Sequence, residues 1–195
     1  MGPSQKKGKR VAVKDFVEAF NKYGSDKSGF HTYEFVYDKL FKNRLAVTNI
    51  LEVGIHHGAS LRAWAELFPG AEIIGLDNNP ANFFTDQDII SLYVDQAHTW
   101  TFDNLKRLFK DKRFDMIVDD GCHYYEETKN TFYNLIPLVK VGGVFVIEDI
   151  KEEYLAGWLE IMGSLPEEYT YDVYNMLDKA TCYNDNIVIV VKRIK

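Results

Sequence analysis

The sequence predicts a doubly wound α/β domain, a mostly parallel sheet with helices on both faces, and two observations carry that prediction. First, two short apolar runs each end in an acidic pair: Met116-Ile117-Val118 leads into Asp119-Asp120, and Val144-Phe145-Val146-Ile147 leads into Glu148-Asp149. Short runs rich in β-branched residues read as strands buried on both faces, and the amphipathic segment between them is the helical crossover that parallel strands need. Second, a strand-like run from Thr48 to Val53 enters a glycine-bounded turn, Gly54 to Gly58, and then a helical period. In such sheets ligands collect beyond the carboxyl ends of the strands, so the two acid pairs fall where a site belongs.

The elements follow in order. Val13, Phe16, Val17 and Phe20 sit at helical spacing and Gly24 stops the pattern, which predicts a helix over 13–23. A polar loop from Tyr23 to His31 carries Ser25, Asp26, Lys27 and His31, and a second helical pattern runs through Tyr33, Val36, Tyr37, Leu40 and Phe41. Residues 13–45 are therefore expected to form a helical cap, with the loop over the site. The first strand and its glycine turn precede a helix marked by Leu61, Trp64, Ala65, Leu67 and Phe68. Glu72 to Leu76 is the second strand, ending in Asp77, and Ile89 to Val94 is the third, followed by Asp95-Gln96. A helix from about Trp100 to Phe109 leads to the fourth strand, and Gly142-Gly143 is the expected turn into the fifth. Beyond Ile150 a helical period through Tyr154, Leu155, Trp158, Leu159 and Met162 stops at Gly163. Tyr169 to Met176 and Ile187 to Val191 read as two last strands, the second inserted into the sheet as the antiparallel partner of the first. These elements make one Rossmann-like, seven-stranded sheet with an antiparallel C-terminal strand.

Composition narrows the function. A chain of 195 residues, 46% hydrophobic, suits one domain at 13–195 behind a flexible tail at 1–12. A net charge of −6 argues against nucleic acid as the main partner, and the one basic cluster, Lys6, Lys7, Lys9 and Arg10, lies in that tail. Cys122 and Cys182 have no metal or redox spacing, so free thiols in a reducing compartment are expected. No apolar run nears the roughly 20 residues that cross a bilayer. A cytoplasmic protein with no membrane partner is the expectation, either a homo-oligomer or a module of a larger protein being compatible with it.

The candidate site is built from these strand ends. Gly54 and Gly58 have neither the dinucleotide spacing nor that of a phosphate-binding loop, yet a glycine turn at a helix N-terminus lets a ligand approach the backbone. Asp77, roughly 20 residues on at the next strand tip, is placed to hydrogen-bond ribose hydroxyls of a nucleoside. His123 follows Asp120 by three residues and opens a helix, whose dipole favours a neutral imidazole able to take a proton.

Leu51-Glu52-Val53-Gly54 with Gly58, Asp77 and an antiparallel sheet end resemble class I S-adenosylmethionine-dependent methyltransferases. Tyr23-Gly24-Ser25-Asp26-Lys27 with His31, Asp95-Gln96, Asp119-Asp120-Gly121-Cys122-His123 and Glu148-Asp149 resemble, more narrowly, metal-dependent sugar O-methyltransferases of natural-product pathways, the macrocin, mycinamicin and novobiocin enzymes and their cephalosporin-hydroxylase-like relatives. The resemblance covers about Tyr23 to Ile150. It implies that Asp120, Glu148 and Asp149 hold Mg²⁺, or Mn²⁺ in its place, and that His123 is the base. It further implies a cofactor site of Ser25, Lys27, Glu52, Gly54, His57, Gly58, Ser60, Asp77, Asn78, Asp95, Gln96 and Asp119, with the last two strand-end residues before Ala97 near the adenine. Cys122 stands where the family usually has Ser, and Ser25 where it has Thr.

Hard carboxylate oxygens suit Mg²⁺. Adjacent strand residues point to opposite faces, so Glu148 and Asp149 converge only if the chain has left the strand there. A sugar hydroxyl, in a glycan or glycoside and such as that of rhamnose, is the implied acceptor, with Tyr23, Trp100, Tyr124 and Tyr125 as aromatic surfaces near it. A catechol or another small vicinal diol would use the same ion and cofactor. An RNA 2′-O-methyltransferase fits less well, lacking a phosphate track, and a regulator that binds cofactor without turnover is the non-enzyme alternative.

Overall fold

Burial on both faces shapes this chain from its first strand onward. β1 (Asn49–Val53), β2 (Glu72–Asp77), β3 (Ile89–Tyr93), β4 (Phe114–Asp119) and β5 (Val139–Ile147) run parallel, and β6 (Tyr169–Asn175) and β7 (Ile187–Arg193) follow. In the computed structural model they form one sheet in the order β3-β2-β1-β4-β5-β7-β6, with β7 inserted antiparallel between β5 and β6. The structure describes residues 13–86, 88–179 and 184–195; the basic tail and Cys182 lie outside them.

Helices α1 (Val13–Tyr23), α2 (Glu34–Leu40) and α3 (Ala59–Leu67) cover one layer, and α4 (Thr99–Leu108), α5 (Tyr125–Leu135) and α6 (Leu155–Gly163) the other. Strand alternation sorts the core between them. Ile50, Met116, Val118, Val144 and Val146 pack with Phe16, Phe20, Tyr37 and Trp64 on the first layer. Leu51, Val53, Ile117, Phe145 and Ile147 pack with Phe102, Phe132 and Trp158 on the second. The same alternation sends Glu52, between Leu51 and Val53, into the first layer, where it is fully buried. Among the described residues, no helix is long and apolar enough to cross a membrane.

One boundary differs from expectation. Gly142 and Gly143 lie within β5 and not in a turn before it, at a register shift between Phe114 and Met116 of β4. A Cβ on Gly143 would stand 2.8 Å from the Phe114 carbonyl oxygen, so the pair marks an irregularity in the ladder where backbones approach closely.

Sheet order reverses at β1, whose neighbours are β2 and β4. Val53 pairs with Leu76 on one side and Asp119 on the other, and Asp119 with Ile147, so the carboxyl ends of four strands finish level. That crevice is the topological switch point at which open α/β sheets bind ligands.

Candidate active site

The crevice opens into a cavity of about 790 Å³. One wall is the turn after β1. Gly54 has φ +98°, and a Cβ there would stand 1.9 Å from the Asp120 carbonyl oxygen, so this glycine serves the close approach of the β1 and β4 loops to each other. Asp77, at the tip of β2, ties the turn down. Its carboxylate accepts from the backbone N–H of Ile55 at 2.9 Å, of His56 at 3.2 Å and of Asn79 at 2.8 Å, and from the Asn82 amide at 3.1 Å. Although partial burial opposes its charge, these donors hold it below the usual carboxylate range.

The opposite wall is acidic. The chain leaves β4 at Asp119 and β5 at Ile147, and Asp149 lies beyond the strand with φ +54°. His123, at φ +57°, stands just before Tyr124, the N-cap of α5. Its Nε2 is 3.6 Å from Asp149 Oδ2 and 3.9 Å from Asp120 Oδ1. Asp120, His123 and Asp149 each offer a ligand atom within 4.8 Å of the others. Burial, then the Asp120 charge, raises the Asp149 carboxyl to about 6, partly offset by His123 and His31.

Glu148, expected as a third ligand beside Asp120 and Asp149, lies outside this group of three. It is 2% exposed, and its oxygens are taken by donors from the cap: Tyr37 at 2.6 Å on Oε1 and Lys27 on Oε2. The expected turn out of the strand does occur, but it turns Asp149 into the cavity and leaves Glu148 behind the wall.

Lys27 lies on the same buried side of the wall. Instead of facing the cavity as a cofactor contact, it is 1% exposed, with Nζ 2.6 Å from Asp120 Oδ2, 3.2 Å from Glu52 Oε1 and bonded to Glu148. Burial disfavours its charge, yet the three carboxylates hold it protonated, well above its ordinary pKa. Glu52 likewise lies behind the wall, accepting from the Trp64 indole. Asp119 is buried, accepts from Gly121 N and the Gln96 amide, and is pushed up to about 7 by that burial. Gly58 starts α3 against the Phe84 ring and is not on the cavity surface.

Gln96 borders the cavity with its side chain committed elsewhere. It donates to Asp119 at 2.9 Å and to Thr131 at 2.8 Å, and accepts from the Cys122 N–H at 2.9 Å, bracing the loop after β4. Ser25, Gly54, His57, Ser60, Asp77, Asn78 and Asp95 do line the cavity, with Asp120, His123 and Asp149. Tyr23 and Tyr124 join them, whereas Tyr125 packs against Trp158 and Trp100 lies outside the lining. Cys122 is an exposed free thiol at the same wall.

Two residues, Tyr33 and Tyr37, were missed from the sequence, and His31 was read only as part of the loop over the site. Tyr33 donates to Asp149 Oδ1, Tyr37 to Glu148, and His31 Nε2 stands 3.5 Å from Asp149 Oδ1. Tyr33 and Tyr37 are four residues apart, and this helical spacing was available, but it marks a core stripe equally well.

Fold and site together define an α/β protein whose nucleoside-type crevice faces a strand-end group of carboxylates and histidine. A family model described as a methyltransferase domain matches residues 51–150, and the chain belongs to that family. It is 32% identical over 153 residues to mycinamicin VI 2''-O-methyltransferase of Micromonospora griseorubida, covering 74% of this chain and 38% of that one. It is 31% identical over 147 residues to 8-demethyl-8-(2-methoxy-alpha-L-rhamnosyl)-tetracenomycin-C 3'-O-methyltransferase of Streptomyces olivaceus, covering 70% and 37%. The crystal structure of the MycE methyltransferase from the mycinamycin biosynthetic pathway in complex with Mg and SAH superimposes with a TM-score of 0.76 at 25% identity, over 92% of this chain and 54% of that one. The chain thus spans less than two fifths of the length of these two curated relatives.

Proposed function

We propose that this chain transfers the methyl group of S-adenosylmethionine to a hydroxyl of a sugar in a glycan or glycoside, with a divalent cation, Mg²⁺ or Mn²⁺, at its acidic wall. The observation that carries the reading is the convergence of Asp120, His123 and Asp149 within 4.8 Å, on the wall facing the Asp77-anchored turn.

The residues present fit both groups. Asp120 and Asp149 offer hard oxygens and would hold the ion, with Glu148 immediately behind them. The cation, when bound, supplies Lewis acidity that lowers the pKa of an acceptor hydroxyl. For S-adenosylmethionine, the turn from Gly54 to Ser60 lies beside Asp77, which lines the cavity at the strand tip where ribose hydroxyls belong. Asp26, Asp77, Asp95, Asp120, Glu127 and Asp149 line the cavity, with no lysine or arginine among the described lining residues. Such a lining favours a positively charged sulfonium donor and an uncharged acceptor over phosphorylated ligands.

His123 is the residue positioned to take the hydroxyl proton. It is about one-third exposed, so its Nε2 reaches both the acidic wall and the cavity. Its ring lies beside Asp120 and Asp149, with Nε2 3.9 Å and 3.6 Å from one oxygen of each. Tyr124, 59% exposed beside it, offers an apolar face on which a sugar ring can pack. The relative named for a rhamnosyl tetracenomycin supports a deoxysugar acceptor such as rhamnose over a catechol.

The test incubates the chain with labelled S-adenosylmethionine, Mg²⁺ and a panel of rhamnosides, other glycosides and catechols. Label is expected on a sugar hydroxyl, and none in EDTA. His123→Ala should lower kcat by roughly 10²-fold or more with unchanged affinity for the demethylated cofactor. Methylation of catechols but of no vicinal sugar diol would overturn the substrate class; full activity in chelator would overturn the metal.

A further inference from the structure

The carboxylates of the acidic wall are held from behind by a part of the chain that contributes none of them. Lys27, Tyr33 and Tyr37 lie in the cap between α1 and the end of α2, and their bonds to Asp120, Glu148 and Asp149 span 93 to 121 residues of sequence. Each donor is at most 1% exposed. Water therefore does not compete for these contacts.

The donors also choose between the two oxygens of each aspartate. Lys27 takes Oδ2 of Asp120 and Tyr33 takes Oδ1 of Asp149. The remaining oxygens, Asp120 Oδ1 and Asp149 Oδ2, are those that face His123. A carboxylate with one oxygen pinned cannot rotate the other out of place, so the pair is aimed at one point between them. Tyr33 is itself fixed: its ring stacks on His31 at 4.7 Å with planes 19° apart, and its hydroxyl donates to Asp149. Asp149 has a further need for such an anchor, because its left-handed backbone is disfavoured for a residue with a Cβ.

We propose that Lys27, Tyr33 and Tyr37 are positioning residues for a divalent cation, a shell of donors through which docking of the cap aims Asp120 and Asp149 and backs them with Glu148. This rests on the metal reading above and adds to it: the cap, besides bordering the cavity, sets the geometry of the ligands. Partners of metal ligands of this kind change metal affinity by about 10 to 100-fold when removed.

The test is direct Mn²⁺ binding, followed by electron paramagnetic resonance, to the wild-type chain, Tyr33→Phe and Lys27→Met, with binding of the demethylated cofactor measured by calorimetry in parallel. Tyr33→Phe removes one oxygen and leaves the buried ring, so it decides the matter even if Lys27→Met, which strands three carboxylates, fails to fold. The expected result is Mn²⁺ affinity lowered about 10 to 100-fold in Tyr33→Phe with cofactor affinity unchanged. Wild-type affinity for Mn²⁺ in Tyr33→Phe would overturn the positioning role and leave the metal reading standing. Loss of Mn²⁺ and cofactor binding together in Tyr33→Phe would overturn it as well, showing a general loosening of the fold. A wild-type chain that binds no Mn²⁺ would overturn both.

Discussion

Removing the Asp77 carboxylate tests the cofactor wall most severely, because four donors converge on that one group. In Asp77→Ala the Ile55 N–H loses its partner at a buried residue, at a cost of about 2 kcal/mol for an unsatisfied donor. His56, Asn79 and Asn82 are exposed or half-buried and regain water, so each loses only the net worth of its bond, about 0.5 kcal/mol. The expected loss of folding stability is therefore about 3 to 4 kcal/mol. It can be read by urea unfolding followed through the fluorescence of Trp64 and Trp158, both buried. Affinity for the demethylated cofactor should fall by about 1.5 to 3 kcal/mol through the lost charged bond to the ligand. The donors hold this carboxyl below its ordinary pKa of about 3.9, so its contribution is complete above that value and is lost as pH falls through the lower native one. The stability gap between wild type and variant should be level from about pH 5 to 8 and close below about pH 4. A variant with wild-type stability and wild-type cofactor affinity at neutral pH would refute both the anchoring of the turn and the assignment of the ligand to it.

Two further substitutions probe the frame around the site. Gly54→Ala places a methyl 1.9 Å from the Asp120 carbonyl at a backbone φ of +98°, so it should cost about 2 to 4 kcal/mol and weaken Mn²⁺ binding by displacing Asp120; thermal unfolding and metal titration check it. Glu34→Gln, at the start of α2, replaces a buried carboxylate whose Oε2 has no hydrogen-bond partner among the described residues and whose pKa is raised by that burial. A raised carboxyl destabilises the fold as pH climbs through its native value, so the variant should be more stable than wild type at pH 8 and lose that advantage near pH 4, as measured by urea unfolding at both.

The sheet was legible because its strands are buried on both faces, and that burial writes itself into the sequence as runs such as Val144 to Ile147. The parallel direction followed from the helical periods between those runs, and the insertion of β7 was readable from two adjacent strand patterns at the C-terminal end. Gly142-Gly143 was misplaced for the same reason that the runs were clear: glycines next to a hydrophobic run signal a turn, and only the partner strand reveals that Gly143 touches the Phe114 carbonyl inside the ladder.

The site divides along a different line. Asp77, Asp120, His123 and Asp149 reach the cavity because each stands at the end of a strand or in the loop that follows it, a place that topology alone brings to the crevice. Lys27, Glu52, Asp119 and Glu148, expected at the cofactor or the metal, are charged groups that the fold buries, and a sequence marks a charge without marking which way it faces. Glu52 sits one residue from the turn, yet strand alternation points it at Trp64 and Lys27. Burying four carboxylates around a cavity is costly unless donors accompany them. Lys27, Tyr37 and Gln96 meet that demand at Glu148, Glu52 and Asp119, and Tyr33 meets it at Asp149. A strand-end pair of acids thus implies donors somewhere in the chain, but nothing local says where. The demand here is met chiefly from the cap, more than 90 residues away from the acids of the last two parallel strands, which is why a loop carrying a lysine and a histidine reads in isolation as a ligand contact and in the fold as the support behind one.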